Sequence, residues 1–410
     1  MKSVSEHLGA VLELLQPLPP LEVVLHDAVG CVLAEDVIAP ADLPVADLAG
    51  RDGYAVISRD VDGAGPESEV ILRVLDDVRA GSTDSHRVVT GAALRISSGA
   101  PMPAGADAVV PVEETDGGRA TVHVRLGPEE GENVRRQAED LRAGEIAIAA
   151  GQRIGARQIA LLAALGRSRV GVHPRPRVVL VSIGDELVEP GRRAGAGQVF
   201  DANGHALATA VQDAGGSTFR VAAVPDERSG LRETLEDQLV RADLVITTGG
   251  LSYGGNDTVK EVVGQLGSVR FDNVAIWPGR QYGVGVIGGA DEGARETPII
   301  CLPGDPAATQ VGYEVFVRPA LLAMAGHSER YRPTVSATVT HAWTSPPGRR
   351  QFVPITVLGS PEQGYRATPV GDPRRPLVSA LSRANALAVV PESVEEVEVG
   401  ARLHCLVLES

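Results

Sequence analysis

Apolar residues in this chain follow two rhythms, and the places where one gives way to the other mark its organisation. Leu8, Val11, Leu12 and Leu15 recur at helical spacing behind Ser3 and Glu6, which stand as in a capping box, so the chain opens with an amphipathic helix ended by Pro17. That apolar stripe needs a partner. Short extended segments follow at 21–25 and 31–38, and the proline-bearing stretch 40–44 links into another module. Residues 45–145 alternate brief β-rich runs at 70–74, 87–89, 108–112 and 121–125 with turn clusters. No long helical pattern interrupts them, which predicts an inserted β-rich domain.

After an Ala/Leu helix at 159–165 that ends at Gly166, the rhythm becomes strand–helix–strand from Pro176 onward. Strand-like runs occupy 177–182, 218–224, 243–248, 269–276, 282–287 and 299–302. Helical spacing appears at 203–214, through Leu231, Leu235 and Leu239, at 258–266, and from the Pro303–Pro306 turn through Ala325. The alternation predicts a three-layer α/β domain, a parallel-type sheet with helices on its faces, binding ligands at the carboxyl ends of its strands. From Tyr331 period two returns, at Val335, Ala337 and Val339 and in the runs 351–357, 387–390 and 402–408, with one short helix at 377–386. Four parts result: an N-terminal helix and linking domain (1–44 with 146–175), an inserted β-rich domain (45–145), the α/β domain (176–328) and a C-terminal β domain (329–410).

Composition narrows the function. A formal net charge of −15 over 410 residues argues against a general nucleic-acid or membrane-surface binder, so a small anionic substrate needs a locally basic pocket. With 3% aromatics, 47 glycines and 28 prolines, the cores are built from Val, Leu, Ala and Ile between frequent turns. Cys31, Cys301 and Cys405 lack metal-ligand spacing and read as reduced core thiols of a cytoplasmic protein. Neither a leader pattern nor an apolar run of membrane-spanning length occurs, so export and membrane insertion are not expected.

The richest stretch is 245–258, where a β-branched run meets Gly249, Gly250, Ser252, Gly254 and Gly255, followed by Asn256, Asp257 and a helix start. A turn of this kind presents N–H groups and a helix N-terminus to an anion, with phosphate the default. Asp257 would repel a bare phosphate, which suggests a bridging Mg²⁺; a tight turn without a ligand is the alternative. Glu186, Asp226 and Asp257 all follow strands, so one crevice can collect them if a cation offsets their repulsion. Independent surface carboxylates are the other reading. Asp52 and Ser98 each sit beside a glycine turn, and 133–140 is a charge cluster whose plain reading is a self-paired surface.

Taken in order, the segments Asp52–Ala55, Ser98–Pro101, Asn133–Arg136 with Glu139 and Asp140, Gly184–Leu187, Asp201–Asn203, Thr248–Ser252 through Asp257, Pro278–Arg280, Leu302–Pro306 and Arg383–Asn385 resemble the molybdopterin molybdenumtransferase family, called MoeA in bacteria and similar to the E domain of gephyrin. The resemblance covers essentially the whole chain. It implies a homodimer in which the inserted domain reaches over the partner's molybdopterin-binding α/β domain, and it admits a molybdopterin adenylyltransferase-type partner. It also implies Mg²⁺-dependent cleavage of adenylylated molybdopterin, insertion of molybdate, and release of AMP. By position, Asp52, Glu186, Asp226 and Asp257 match catalytic residues, with Glu186 and Asp257 around the metal. Ser98, Gly249, Gly250, Ser252, Arg280, Pro303 and Pro306 match substrate-binding positions.

Several positions depart from the family pattern. Its Lys-Pro-Gly-Lys becomes Trp277-Pro278-Gly279-Arg280, an upstream lysine becomes Asn273, and Asp305 and Ala308 replace Asn and Ser. Two positive charges are missing where molybdate is expected, and Arg374 and Arg375 are candidates to restore them. The departures keep open a gephyrin-like scaffold that binds a peptide tail of a membrane or cytoskeletal protein, and a paralogue that binds pterin or nucleotide without turnover.

Overall fold

In the computed structural model, which describes residues 1–251, 258–288 and 295–408, Ser3 Oγ accepts the Glu6 N–H at 3.1 Å and Glu6 Oε2 accepts the Ser3 N–H at 2.7 Å. The capping box therefore forms, and it starts α1 (Val4–Leu14). The chain divides into two units, one of Met1–Ala34, Gly151–Gly155 and Arg169–Ser410, the other of Glu35–Ala150 and Ala156–Ser168. Among the described residues no helix is long and apolar enough to cross a membrane.

The larger unit is organised around β1 (Arg177–Ser182), α2 (Ala202–Asp213), β2 (Ser217–Arg220), α3 (Arg228–Leu239), β3 (Leu244–Thr248), α4 (Thr258–Leu266), β4 (Gly267–Asn273), β5 (Ile276–Trp277), β6 (Gln281–Ile287), β7 (Thr297–Leu302) and α5 (Pro306–Gly312). Its sheet runs in the order β2-β1-β3-β7-β6-β4. The first four strands are parallel, as the alternation predicts, but β6 runs antiparallel to both of its neighbours, β7 and β4. The reason is chain length: the link from β4 to β6 is too short for a crossover helix.

Side chains alternate across this sheet. Val178, Leu180, Leu244, Ile246, Ile300 and Leu302 face one core shared with α1, α2 and α5, whereas Val179, Val181, Val245, Ile299 and Cys301 face the other, shared with α3 and α4. The stripe of α1 finds its partner here, through Val4, Val11 and Leu15. Burial pushes the Cys301 thiol up to about 12, as suits an inert core residue.

Local expectations fail where tertiary bonds intervene. The run 269–276 splits, because β5 leaves the central sheet and pairs with β8 (Arg350–Ser360). The strand expected at 218–224 ends at Arg220, and Val224 keeps only a bridge to Ile183. The helix leading to Ala325 passes through a π-turn at Tyr313–Val317, just ahead of Pro319, which lacks an N–H to donate. The helix expected at 377–386 is only Val378–Leu381, since Asn385 is captured: its side chain accepts the Val357 N–H at 2.8 Å and donates to Val357 O at 3.0 Å. Beyond it, β8 pairs with both Gly364–Pro369 and Ala386–Val390, closing a ring completed by Thr334–Val339 and Arg402–Val407.

The smaller unit contains a five-stranded sheet, ordered Ala108–Pro111, Gly53–Val56, Ala92–Ile96, Val70–Val78 and Thr121–Val124. The run at 87–89 contributes only a bridge from Arg87 to Ala104. Tyr54 is fully buried and donates its hydroxyl to Gly118 O at 2.8 Å.

Candidate functional site

Three parallel strands end together and build the first cavity, of about 280 Å³. Ile183 N–H donates to Thr248 O at 2.9 Å and Gly249 N–H to Leu302 O at 3.3 Å, so the tips of β1, β3 and β7 are tied edge to edge. Gly249 and Gly250 have φ of +85° and +65°. A Cβ would stand 2.2 Å from Ile183 O at the first position and 2.3 Å from Val259 Cγ2 at the second. Close packing of the strand ends thus requires both glycines before any ligand is considered.

Acidic groups line this cavity. Asp185, Glu186 and Asp226 share it with Asn203 and Thr248, and the Asp226 N–H donates to Asp185 Oδ1 at 3.0 Å. Asn203 donates to Gly304 O at 2.8 Å; its carbonyl oxygen and the Thr248 hydroxyl are buried with no partner among the described residues. The loop carrying Asp185 and Glu186 is held by Arg220, which pairs with Glu189 and reaches Asp201 at 3.3 Å. Carboxylate, amide and hydroxyl oxygens are the hard donors that suit Mg²⁺. Among the described residues no three His, Cys, Asp or Glu side chains form a metal-holding group. Mg²⁺ bound by one or two carboxylates and a substrate's phosphates needs no such cage, so the donor set fits.

A second cavity, of about 300 Å³, adjoins the first through Leu251, which lines both. Its other lining residues are Trp277, Gly279, Arg280, Gln281, Pro303 and Arg349. It exists because β5 pairs in parallel with β8, placing Ile276 opposite Arg350 and Trp277 opposite Gln351. The Arg349 guanidinium lies over the Trp277 ring, 5.8 Å from its centroid. Gly279, at φ +91°, leaves no room for a Cβ, which would stand 2.5 Å from the buried Tyr282 hydroxyl. The two cavities are opposite in character: among the described residues no basic residue lines the first and no carboxylate the second.

The positions singled out in the sequence distribute unevenly. Glu186, Asp226, Gly249 and Gly250 line the first cavity, and Arg280 and Pro303 the second. Pro306 lines neither and starts α5. Asp257 and Ser252 lie outside the described residues. Asp52 and Ser98 belong to the smaller unit and meet each other, Ser98 N–H donating to Asp52 Oδ1 at 2.7 Å. The charge cluster at 133–140 is only partly self-paired, because Arg136 reaches Asp47 at 3.0 Å.

Two charge expectations change. Asp305 caps α5 by accepting the Ala308 N–H at 2.8 Å, so its carboxylate has a local structural use. Arg374 pairs with Asp372 at 3.1 Å in an exposed turn, and neither it nor Arg375 lines the second cavity; Arg349 does. Sequence reading missed Arg349, Gln281, Asn203 and Asp185 as site residues. Asp185 and Asn203 lie inside segments already singled out, whereas nothing local marks Arg349.

Comparison with known proteins agrees along the chain. Residues 2–166 match the MoeA N-terminal region (domain I and II), 179–323 a probable molybdopterin binding domain, and 336–408 the MoeA C-terminal region (domain IV). The chain is 39% identical to molybdopterin molybdenumtransferase 2 of Mycobacterium tuberculosis, over 98% of this chain and 99% of that protein. It is 36% identical to molybdopterin molybdenumtransferase 1 of the same organism, over 98% and 97%. A solved molybdopterin biosynthesis MoeA protein from Pyrococcus horikoshii superposes with a TM-score of 0.77 at 26% identity, covering 99% of this chain and 100% of its own. By its matches from end to end, the chain belongs to the MoeA family.

Proposed function

We propose that this protein is a molybdopterin molybdenumtransferase acting in molybdenum cofactor biosynthesis: it binds adenylylated molybdopterin, cleaves its phosphoanhydride with Mg²⁺, and inserts molybdate with release of AMP. The observation that carries this reading is the adjacency of an acidic and a cationic cavity across Leu251. One substrate bears a pyrophosphate and the other is an oxyanion, and two anions need separate but neighbouring counter-charges.

In this reading Glu186 and Asp226 hold the metal side of the pyrophosphate, together with Asp257. Bound Mg²⁺ neutralises phosphate charge as it develops in the transition state. The Gly249 N–H is already given to Leu302 O, so it is not free for the phosphate, and Gly250 and Ser252 are the nucleotide-binding candidates of the turn. Arg280 and Arg349 hold the oxyanion against the pterin side near Pro303 and Pro306. Asp52 and Ser98, exposed on the smaller unit, act across a homodimer from the partner's central domain.

The test is titration of the purified chain with adenylylated molybdopterin and Mg²⁺, followed by molybdate and an assay for AMP. Molybdate-dependent AMP release supports the transferase. Binding without release points to a pterin- or nucleotide-binding paralogue, and absence of binding to a gephyrin-like scaffold for a peptide tail.

A further inference from the structure

We infer that Trp277 is a positioning residue that holds the Arg349 guanidinium at the wall of the second cavity, so that an arginine seated on an aromatic ring serves there as an oxyanion holder. Naming molybdate as the oxyanion rests on the transferase reading above. Arg349 and Arg350 are neighbours with different fates. Arg350 Nη2 pairs with Glu392 at 3.2 Å, while Arg349 lies over Trp277 and lines the cavity. Both partners sit on fixed backbone. Trp277 lies opposite Gln351 on paired strands, the Arg350 N–H donates to Ala275 O at 2.9 Å, and Gln351 is fully buried between Trp343 Nε1 at 3.1 Å and Pro373 O at 2.8 Å.

A guanidinium held over a ring by cation–π attraction keeps N–H groups for another partner, and the ring limits the rotamers it must give up on binding. A tetrahedral oxyanion accepts such a planar fork in bidentate fashion. Among the described residues no carboxylate lines the cavity to oppose an anion.

The experiment is calorimetric titration of sodium molybdate into the full chain and into Trp277→Leu, Trp277→Phe, Arg349→Gln and the Trp277→Leu/Arg349→Gln double variant, each first shown to be folded by circular dichroism. Trp277→Leu should weaken molybdate binding roughly tenfold, and Trp277→Phe, which keeps an aromatic face, by no more than about threefold. The double variant should bind no more weakly than Arg349→Gln alone, because the ring acts through the arginine. Costs that multiply in the double variant, an unchanged affinity in Trp277→Leu, or no molybdate binding by the unaltered chain would each overturn the inference. AMP release is assayed separately on the unaltered chain. Release with multiplying costs removes the positioning role and leaves the transferase reading, and a coupled pair without release does the reverse.

Discussion

Arg220 Nη1 stands 3.3 Å from Asp201 Oδ2, and this one contact joins the edge strand of the central sheet to the first turn of α2. Asp201 is almost fully buried, and its other oxygen accepts the Ser182 hydroxyl and the Gly204 N–H, both at 2.9 Å. Arg220 also pairs with Glu189, on the loop that carries Asp185 and Glu186. Arg220→Met leaves Asp201 buried without its cation and should cost about 3 kcal/mol in urea unfolding. Arg220→Lys should recover part of this. Equal stability of the methionine variant and the unaltered chain would refute the bracing role.

Glycine replacements should separate packing from simple helix propensity. Gly250→Ala adds a Cβ 2.3 Å from Val259 Cγ2 at φ +65°, and should lose about 1–3 kcal/mol by thermal unfolding. Gly264→Ala, inside α4 with open space around it, should gain roughly 0.5–1 kcal/mol. A neutral Gly250→Ala would mean that the turn relaxes freely.

Acid should destabilise the fold through His7. Burial holds its imidazole down from 6.5 to about 4, outweighing the raising effect of its Asp272 partner. A folded-state value below the unfolded one gives stability that is complete above the unfolded value and lost as pH falls toward the folded one. His7 should therefore contribute a loss of about 3 kcal/mol between about pH 6.5 and about pH 4. Urea midpoints across this window in the unaltered chain and in His7→Phe provide the check; identical slopes would rule His7 out.

Metal removal should silence the proposed reaction. With EDTA, AMP release should fall to background and return on adding Mg²⁺. Glu186→Gln should slow release by roughly two to three orders of magnitude at a fixed Mg²⁺ concentration. Undiminished release by Glu186→Gln would move the metal role elsewhere in the first cavity.

Much of the framework is legible in local chemistry. Ser3 and Glu6 announce a capping box that forms, Gly166 ends its helix region at φ +72°, and the runs that become β1, β3 and β7 are apolar because helices cover both faces. The strand-end rule also brings Glu186 and Asp226 to one cavity. These features depend on near neighbours, on side-chain period, or on the crossover connections of a parallel core, and a sequence displays all three.

What the sequence by itself determined was the order of its parts, the capped and glycine-punctuated turns, and the placement of acidic residues after strands. Only the tertiary structure decided that Asp305 caps a helix, that Arg374 closes on Asp372, and that Arg349 comes to Trp277. The last depends on β5 leaving the central sheet to pair with β8, more than seventy positions away. Such a pairing is chosen by the summed packing of both sheets, so no residue near Trp277 or Arg349 announces it, and the charge that Arg349 adds beside Arg280 in the second cavity follows from that choice.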